Sequence, residues 1–193
     1  MSRILVLYGT TDGHTAKVAA RLGDALRSRA LAVDVVLAGR DRTIPRADDY
    51  AAVVVAASVH AGGYQRRVRR WVREQAPALA ARPTAFVSVC LGVLQRDPAV
   101  DRELASIMGR FLEATGWRPT TTKVVAGALL YTQYNWLKRR IMKRIVAKAK
   151  GDIDTSRDYE YTDWAEVEAF AREFATLMVE WGASTPRATA LAS

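Results

Sequence analysis

The sequence contains one cysteine, Cys90, and two histidines, His14 and His60. A single thiol excludes an intramolecular disulfide. No spacing typical of metal ligands connects the histidines with Cys90 or with a carboxylate cluster, so we expect no metal site. A lone thiol without a clear histidine partner is also more typical of a small buried residue than of a nucleophile.

Long apolar runs are missing as well. No stretch approaches the roughly 20 residues that a membrane-spanning helix needs, and the first residues lead into an apolar strand without the pattern of a signal peptide. We therefore expect a cytoplasmic protein for which any contact with a membrane is peripheral. The balance of 50% hydrophobic and 25% charged residues predicts a folded globular chain.

Acidic residues are scarce relative to basic ones, 20 against 29, and the formal net charge is +9. The basic excess is concentrated in two clusters that contain no acidic residue. One consists of Arg66, Arg67, Arg69, Arg70 and Arg73, and the other of Lys138, Arg139, Arg140, Lys143, Arg144, Lys148 and Lys150. Both clusters indicate anionic partners, such as lipid headgroups or carboxylated substrates. We expect no nucleic-acid partner, because the basic residues lack the interleaved stacking aromatics of a single-strand groove.

Short apolar runs alternate along the chain with segments of helical spacing. Continuous apolar strands separated by helices predict a parallel sheet covered on both faces, which is a doubly wound α/β fold. The predicted strands cover residues 4–8, 32–37, 52–57, 84–89 and 123–128, and the predicted helices residues 14–26, 64–79, 100–115 and 163–180. Thr162 or Asp163 is expected to cap the last helix. We expect one domain over residues 1–181 and a flexible tail over residues 182–193, since the tail is small, polar and aperiodic.

The loop after the first predicted strand has the composition of a phosphate site. It comprises Thr10, Thr11, Asp12, Gly13, His14 and Thr15. In a doubly wound fold, ligands bind beyond the carboxyl ends of the strands, and the free amides of a helix start favour a phosphate. The hydroxyls add donors without adding charge. The patterns typical of dinucleotide and nucleoside triphosphate loops are missing, which disfavours those ligands. A helix cap rich in threonine and aspartate is the alternative.

Two further loops follow predicted strands at the same edge. The second loop comprises Ser58, Val59, His60, Ala61, Gly62, Gly63 and Tyr64, and the third loop Ser88, Val89, Cys90, Leu91 and Gly92. The glycines of the second loop let the backbone approach a flat ring, on which Tyr64 can stack. Such a ring fits the isoalloxazine of a flavin. His60 is a candidate to influence the charge of the reduced flavin, and the alternative is that His60 is an exposed loop histidine without this role. The third loop would close the other side of the ring.

These loops and later landmarks resemble the flavodoxins and, more closely, the menaquinone-dependent protoporphyrinogen IX dehydrogenases. The landmarks are Thr10-x-Asp12-Gly13-x-Thr15, Ala57-Ser58-Val59 with Gly62 and Tyr64, Ala85-Phe86-x-Ser88-Val89, Trp117-Arg118-Pro119, Ala126-Gly127-Ala128-Leu129 and Tyr161-Thr162-Asp163-Trp164. The resemblance implies a flavodoxin-like five-stranded sheet of order 2-1-3-4-5, with helices on both faces and a basic helical insert at about residues 129–160. It also implies an FMN enzyme that removes six electrons from protoporphyrinogen IX, giving protoporphyrin IX for haem synthesis, and passes them to menaquinone or another quinone.

The apolar residues of the insert recur at helical spacing, with the basic residues on the flanks and the opposite face. They are Leu137, Ile141, Met142, Ile145, Val146 and Ala149. Such a helix suits an anionic membrane, so we expect a peripheral location on the inner face of the cell membrane. A solvated helix whose apolar stripe packs on its own domain is the alternative.

The chain departs from the resemblance in the segment after the fifth strand. Where the family carries several arginines, this chain has Leu130-Tyr131-Thr132-Gln133-Tyr134-Asn135-Trp136. Arg66, Arg67 and Arg70, or Arg139 and Arg140, are candidates to contact substrate carboxylates instead. Tyr131, Lys138, Lys143 and Arg144 are further substrate or membrane candidates.

Two other functions stay open. One is another flavodoxin-like FMN quinone reductase or oxidoreductase that does not act on a tetrapyrrole. The other is a non-enzymatic flavodoxin electron carrier, which the basic composition disfavours because flavodoxins are acidic around the flavin. His60 is the catalytic candidate near the flavin. The sequence also leaves open whether the protein forms a homo-oligomer.

Overall fold

A sheet of five parallel strands forms the centre of the computed structural model. The strands are β1 (Arg3–Gly9), β2 (Ala32–Leu37), β3 (Ala52–Ser58), β4 (Thr84–Cys90) and β5 (Thr121–Ala126). Their order is β2-β1-β3-β4-β5, as expected. The structure describes residues 3–39, 43–95, 97–130, 132 and 154–184. The winding direction reverses between β1 and β3, and this is where a ligand site is expected.

In the described part of the chain, four α-helices cover the two faces of this sheet. They are α1 (His14–Arg27), α2 (Arg66–Ala80), α3 (Pro98–Thr115) and α4 (Trp164–Ser184). Alternate residues of β1 enter the two cores: Ile4 and Val6 pack on the side of α1 and α4, and Leu5 and Leu7 on the side of α2 and α3. Because β1 is buried on both faces, its sequence is a continuous apolar run.

The helix ends differ from the predicted ones for local reasons. Helix α3 begins two residues earlier than predicted, because Asp97 accepts a hydrogen bond from the amide of Ala99 at 2.7 Å and Pro98 occupies the first turn. The predicted cap at Asp163 is confirmed, since its carboxylate accepts from the amide of Glu166 at 3.0 Å. Helix α4 continues to Ser184, so the first three residues of the predicted tail are helical. The rest of that tail lies outside the described residues.

A short antiparallel ladder, which the sequence did not predict, closes the base of the insert. It pairs β6 (Ala128–Leu129) with β7 (Tyr159–Glu160), and β5 accordingly ends at Ala126 rather than at residue 128. Leu129 and Leu130 are buried against Leu91 of the third loop. The insert therefore leaves and rejoins the domain beside the carboxyl edge of the sheet.

The predicted amphipathic helix of the insert lies outside the described residues, and so do the candidates Tyr131, Lys138, Arg139, Arg140, Lys143 and Arg144. Within the part of the chain that the structure describes, no helix combines the length and the apolar character needed to cross a membrane.

Candidate functional site

The pairing of the strands brings the three predicted loops together. Gly9 lies opposite Ala57 in the register of β1 and β3, and Ser58 lies opposite Val89 in the register of β3 and β4. The phosphate loop (residues 10–15), the second loop (residues 58–64) and the third loop (residues 88–92) therefore begin at one edge of the sheet. A cofactor placed there can contact all three loops at once.

The phosphate loop turns sharply into α1. Gly13 occupies the cap position with a φ of 91°, a conformation that favours glycine, and its amide donates to Thr10 Oγ1 at 2.8 Å. The first turn of α1 contains no acidic residue. Its positive dipole end is therefore not neutralised from within the helix, which favours an anionic ligand.

The threonine hydroxyls of this loop are arranged as donors. Thr10 Oγ1 accepts from Gly13, and Thr11 Oγ1 accepts from the side-chain amide of Gln65 at 3.1 Å. Each of these oxygens is thus occupied as an acceptor, which leaves its own hydrogen to donate. Thr15 is 1% exposed, and its Oγ1 has no hydrogen-bond partner among the described residues. A buried hydroxyl without a partner is costly in a folded protein, and a phosphate oxygen would satisfy it.

His14 does not point into the phosphate loop as a charged ligand. Its Nε2 lies 2.6 Å from Thr162 Oγ1, which itself donates to the carbonyl of Ala126 at 2.7 Å. The Thr162 oxygen therefore accepts from Nε2–H, and His14 Nδ1 is left 3.7 Å from the Glu160 carboxylate. Burial lowers the pKa of His14, although Glu160 opposes the shift. A neutral His14 links the start of α1 to the base of the insert, and only its backbone remains available to the phosphate.

A neighbouring ion pair strengthens the same link. Lys17 Nζ donates to Glu160 Oε2 at 2.9 Å, and this hydrogen bond is the main reason that the pKa of Glu160 is lowered. Trp164 Nε1 also donates to Glu160, at 2.9 Å. His14, Lys17 and Glu160 line a cavity of about 240 Å³ that lies between the phosphate loop and β7.

The second loop is a tight turn and not a flexible glycine stretch. His60 and Gly63 exchange two backbone hydrogen bonds, of 2.8 and 3.1 Å. The two residues between them, Ala61 and Gly62, both have positive φ values, of 48° and 72°. This is the pattern of a type I′ turn, in which alanine at a positive φ is strained. The turn holds the exposed His60 in a fixed position at the edge of the sheet.

The position of the Tyr64 ring differs from the predicted one, in which the ring stacks on the flavin. Its ring packs edge-on against Phe86 and Phe111, with both centroid distances 5.0 Å, and its hydroxyl lies 2.8 Å from Ser88 Oγ. Burial raises the pKa of Tyr64 to about 12, so the phenol stays protonated. The aromatic core holds Tyr64, which therefore positions the second loop against β4.

The third loop is shorter than predicted, because β4 extends to Cys90. Ser88, Val89 and Cys90 are buried strand residues, and burial raises the pKa of the Cys90 thiol. These three residues therefore belong to the strand and not to a loop, and their contact with the cofactor stays a prediction. Only Leu91 and Gly92 lie beyond the strand.

The arginines of α2 differ in their contacts. Arg67 donates to the carbonyl of Gly39 at 2.8 Å, and Arg70 pairs with Glu74 at 2.8 Å. Arg66, Arg69 and Arg73 are exposed and make no ion pair with a described residue. Of the three predicted substrate candidates on α2, Arg66 is thus the one without an intramolecular partner in the described part of the chain.

Sequence reasoning missed Gln65. The residue occupies the cap position of α2, but its side chain does not cap the helix. Its Nε2 instead contacts Thr11 Oγ1 and both the carbonyl and the hydroxyl of Ser58, at 3.1, 3.2 and 2.8 Å. No motif marks this role, because a polar residue before a helix is ordinarily interpreted as a cap.

These residues fit FMN. The phosphate loop offers neutral donors and a helix start without acidic residues, and the second and third loops flank the neighbouring space. Two buried oxygen atoms at this edge lack a hydrogen-bond partner among the described residues. They are the hydroxyl oxygen of Thr15, Oγ1, and the side-chain amide oxygen of Gln65, Oε1. FMN carries a phosphate and a hydroxylated chain, which are the groups that such atoms can bind.

Comparisons with known proteins agree with this geometry. A family model described as a flavodoxin domain matches residues 5–156. The chain is 35% identical over 175 residues to protoporphyrinogen IX dehydrogenase (quinone) of Escherichia coli strain K12, covering 91% of this chain and 96% of that protein. A protein of the same name from Leishmania major is 33% identical over 180 residues, covering 91% of this chain and 75% of that protein.

Oxidised flavodoxin 1 of Bacillus cereus has the same fold, with a TM-score of 0.53 at 12% identity, covering 91% of this chain and 98% of that chain. The predicted sheet order and the predicted cofactor, FMN, are both confirmed. The chain belongs to the flavodoxin-domain family of FMN proteins, within the group formed by the protoporphyrinogen IX dehydrogenases (quinone).

Proposed function

We propose that this protein oxidises protoporphyrinogen IX to protoporphyrin IX and passes the electrons to a quinone. The observation that carries the proposal is the identity of 35% with a dehydrogenase of this name, since the match covers 91% of this chain and 96% of that protein. The match is therefore not limited to the FMN site.

FMN supplies the redox chemistry, because its ring accepts electrons from a reduced macrocycle and delivers them to a quinone. The protein contributes position and electrostatics. Hydroxyls of Thr10, Thr11 and Thr15 bind the phosphate, and the turn at residues 60–63 shapes the edge of the ring site. His60 is an exposed side chain at this edge and remains the catalytic candidate.

The carboxylates of the substrate need cationic partners near the flavin edge. Arg66 begins α2, directly after the second loop, and it is exposed without an ion-pair partner among the described residues. No acidic residue occurs from Tyr50 to Arg73, so no acidic neighbour within this stretch neutralises the positive charge of Arg66. Arg66 is therefore our first candidate for a carboxylate contact, with Arg67 and Arg70 beside it.

We place the protein at the inner face of the cell membrane, as a peripheral protein. The support is the stripe formed by Arg66, Arg69 and Arg73, which recur at a spacing of three to four residues on the exposed face of α2. Each such charge near an anionic membrane contributes about 1 kcal/mol. The base of the insert lies at the same edge of the sheet as the start of this stripe. The insert itself has a basic sequence.

A direct assay tests the proposed reaction. The purified FMN-loaded protein is mixed with protoporphyrinogen IX and a menaquinone analogue, and porphyrin fluorescence is followed under anaerobic conditions. We expect fluorescence to rise only when both the quinone and FMN are present. Quinone reduction by another donor without porphyrin formation would indicate a different FMN oxidoreductase and would refute the proposal.

Vesicle flotation tests the membrane contact. Replacing Arg66, Arg69 and Arg73 with serine should reduce binding to anionic vesicles by about tenfold or more, with no effect on neutral vesicles. A control variant carries serine at Arg29, Arg102 and Arg110, which are exposed arginines elsewhere in the domain. Equal losses in both variants would mean that net charge acts and the stripe does not.

A further inference from the structure

The side chain of Gln65 connects two parts of the FMN site that are far apart in sequence. Its amide nitrogen bridges Thr11 of the phosphate loop and Ser58 at the end of β3. The carbonyl of Ser58 can only accept, so the contact at 3.2 Å requires the NH₂ group of Gln65 on that side. The carbonyl oxygen of the side chain, Oε1, must then point the other way.

Gln65 Oε1 is buried and lacks a hydrogen-bond partner among the described residues. It lies above Gly9, where a Cβ atom added to the glycine would be 3.0 Å from it. Gly9 is the last residue of β1, at the point where the winding of the sheet reverses. The unpaired acceptor is thus located between the phosphate loop and the second loop, where a chain joining a phosphate to a ring would pass.

We propose that Gln65 is an FMN-positioning residue whose Oε1 accepts a hydrogen bond from a hydroxyl of the FMN polyol chain. The amide nitrogen has a second effect. One of its two hydrogens goes to the Ser58 carbonyl, and a hydroxyl of Thr11 or Ser58 that accepts the other turns its own hydrogen outward. One side chain therefore sets an acceptor for the polyol and a donor beside it. The inference rests on FMN binding and is independent of which substrate the enzyme oxidises.

A double-mutant cycle with two flavins tests the acceptor. The variants are the parent chain and Gln65→Met, which keeps the length of the side chain and removes its hydrogen-bonding groups. The flavins are FMN and a flavin phosphate whose side chain is an unsubstituted pentyl group. Dissociation constants are measured by quenching of flavin fluorescence, without any turnover.

We expect Gln65→Met to weaken FMN binding by about tenfold and to weaken binding of the pentyl flavin by about twofold, a coupling of about fivefold for one hydrogen bond. Equal losses for both flavins would overturn the proposal and leave Gln65 as a brace between loops. The parent chain alone gives a second test that needs no substitution. If it binds both flavins equally well, no residue accepts from the polyol and the proposal fails.

Discussion

Thr15 gives the sharpest test of the phosphate loop, because a single substitution should change stability and binding in opposite directions. Thr15→Val keeps the shape of the side chain and removes a hydroxyl that is buried without a partner among the described residues. An uncompensated buried hydroxyl costs about 1–3 kcal/mol. The FMN-free variant should therefore be more stable than the parent by about 1 kcal/mol or more, measured by urea unfolding.

The same substitution should weaken FMN binding. A hydrogen bond to a charged group contributes about 1.5–3 kcal/mol, which corresponds to a loss of affinity of about 10-fold to 150-fold. Titration of the FMN-free protein, followed by quenching of flavin fluorescence, measures this loss directly. Riboflavin, which lacks the phosphate, should bind the variant and the parent equally.

Thr115→Val is the matched control. Thr115 is also buried, but its hydroxyl donates to the carbonyl of Phe111 at 2.9 Å, at the end of α3. Its replacement should lower stability by about 1 kcal/mol and leave FMN affinity unchanged. If Thr15→Val destabilises the FMN-free protein as the control does, or binds FMN as tightly as the parent, the Thr15 hydroxyl does not serve the phosphate.

Two further predictions concern the surroundings of the site. Burial lowers the pKa of His14 below 6.5, so the unfolded chain binds more protons at this residue; its contribution to stability is complete above pH 6.5 and is lost as the pH falls towards the lowered pKa. Urea midpoints measured from about pH 7 to pH 5 should therefore fall less steeply in His14→Gln, and an unchanged slope would contradict this account. Gly9→Ala places a Cβ atom 2.5 Å from Val68 Cγ2 and 3.0 Å from Gln65 Oε1, and should cost about 1–3 kcal/mol in urea unfolding and weaken FMN binding. Gly109→Ala, which meets no atom within 4 Å, should stabilise α3 slightly, and a similar loss at both glycines would disprove the steric argument.

The sheet could be predicted from the sequence because its strands are continuous apolar runs, a pattern that only burial on both faces explains. The turn from β1 into α1 could be predicted because Gly13 and three threonines follow the first strand. The two-residue strands β6 and β7 could not, since they are too short to carry a periodicity. The orientation of His14 towards Thr162 also escaped prediction, because the two residues are distant in sequence and meet only through tertiary packing.

For residues of the second and third loops, the local sequence is compatible with more than one structural environment. Ser88 and Cys90 are small residues that suit a buried strand as well as a loop, so the end of β4 was misplaced by one residue. Tyr64 has the side chain of a stacking residue, yet its environment is set by Phe86 and Phe111 from two other elements. Local composition does not contain that information.

The ladder between Ala128 and Glu160 gives the domain a modular junction. Because the chain leaves and re-enters at adjacent positions, changing the length of the intervening segment alters closure entropy only slightly, by about 0.6 kcal/mol for each doubling. The five strands lie outside this segment and, among the described residues, pair only with one another. A flavodoxin-domain protein of this type can therefore vary the length of the segment without rebuilding its central sheet.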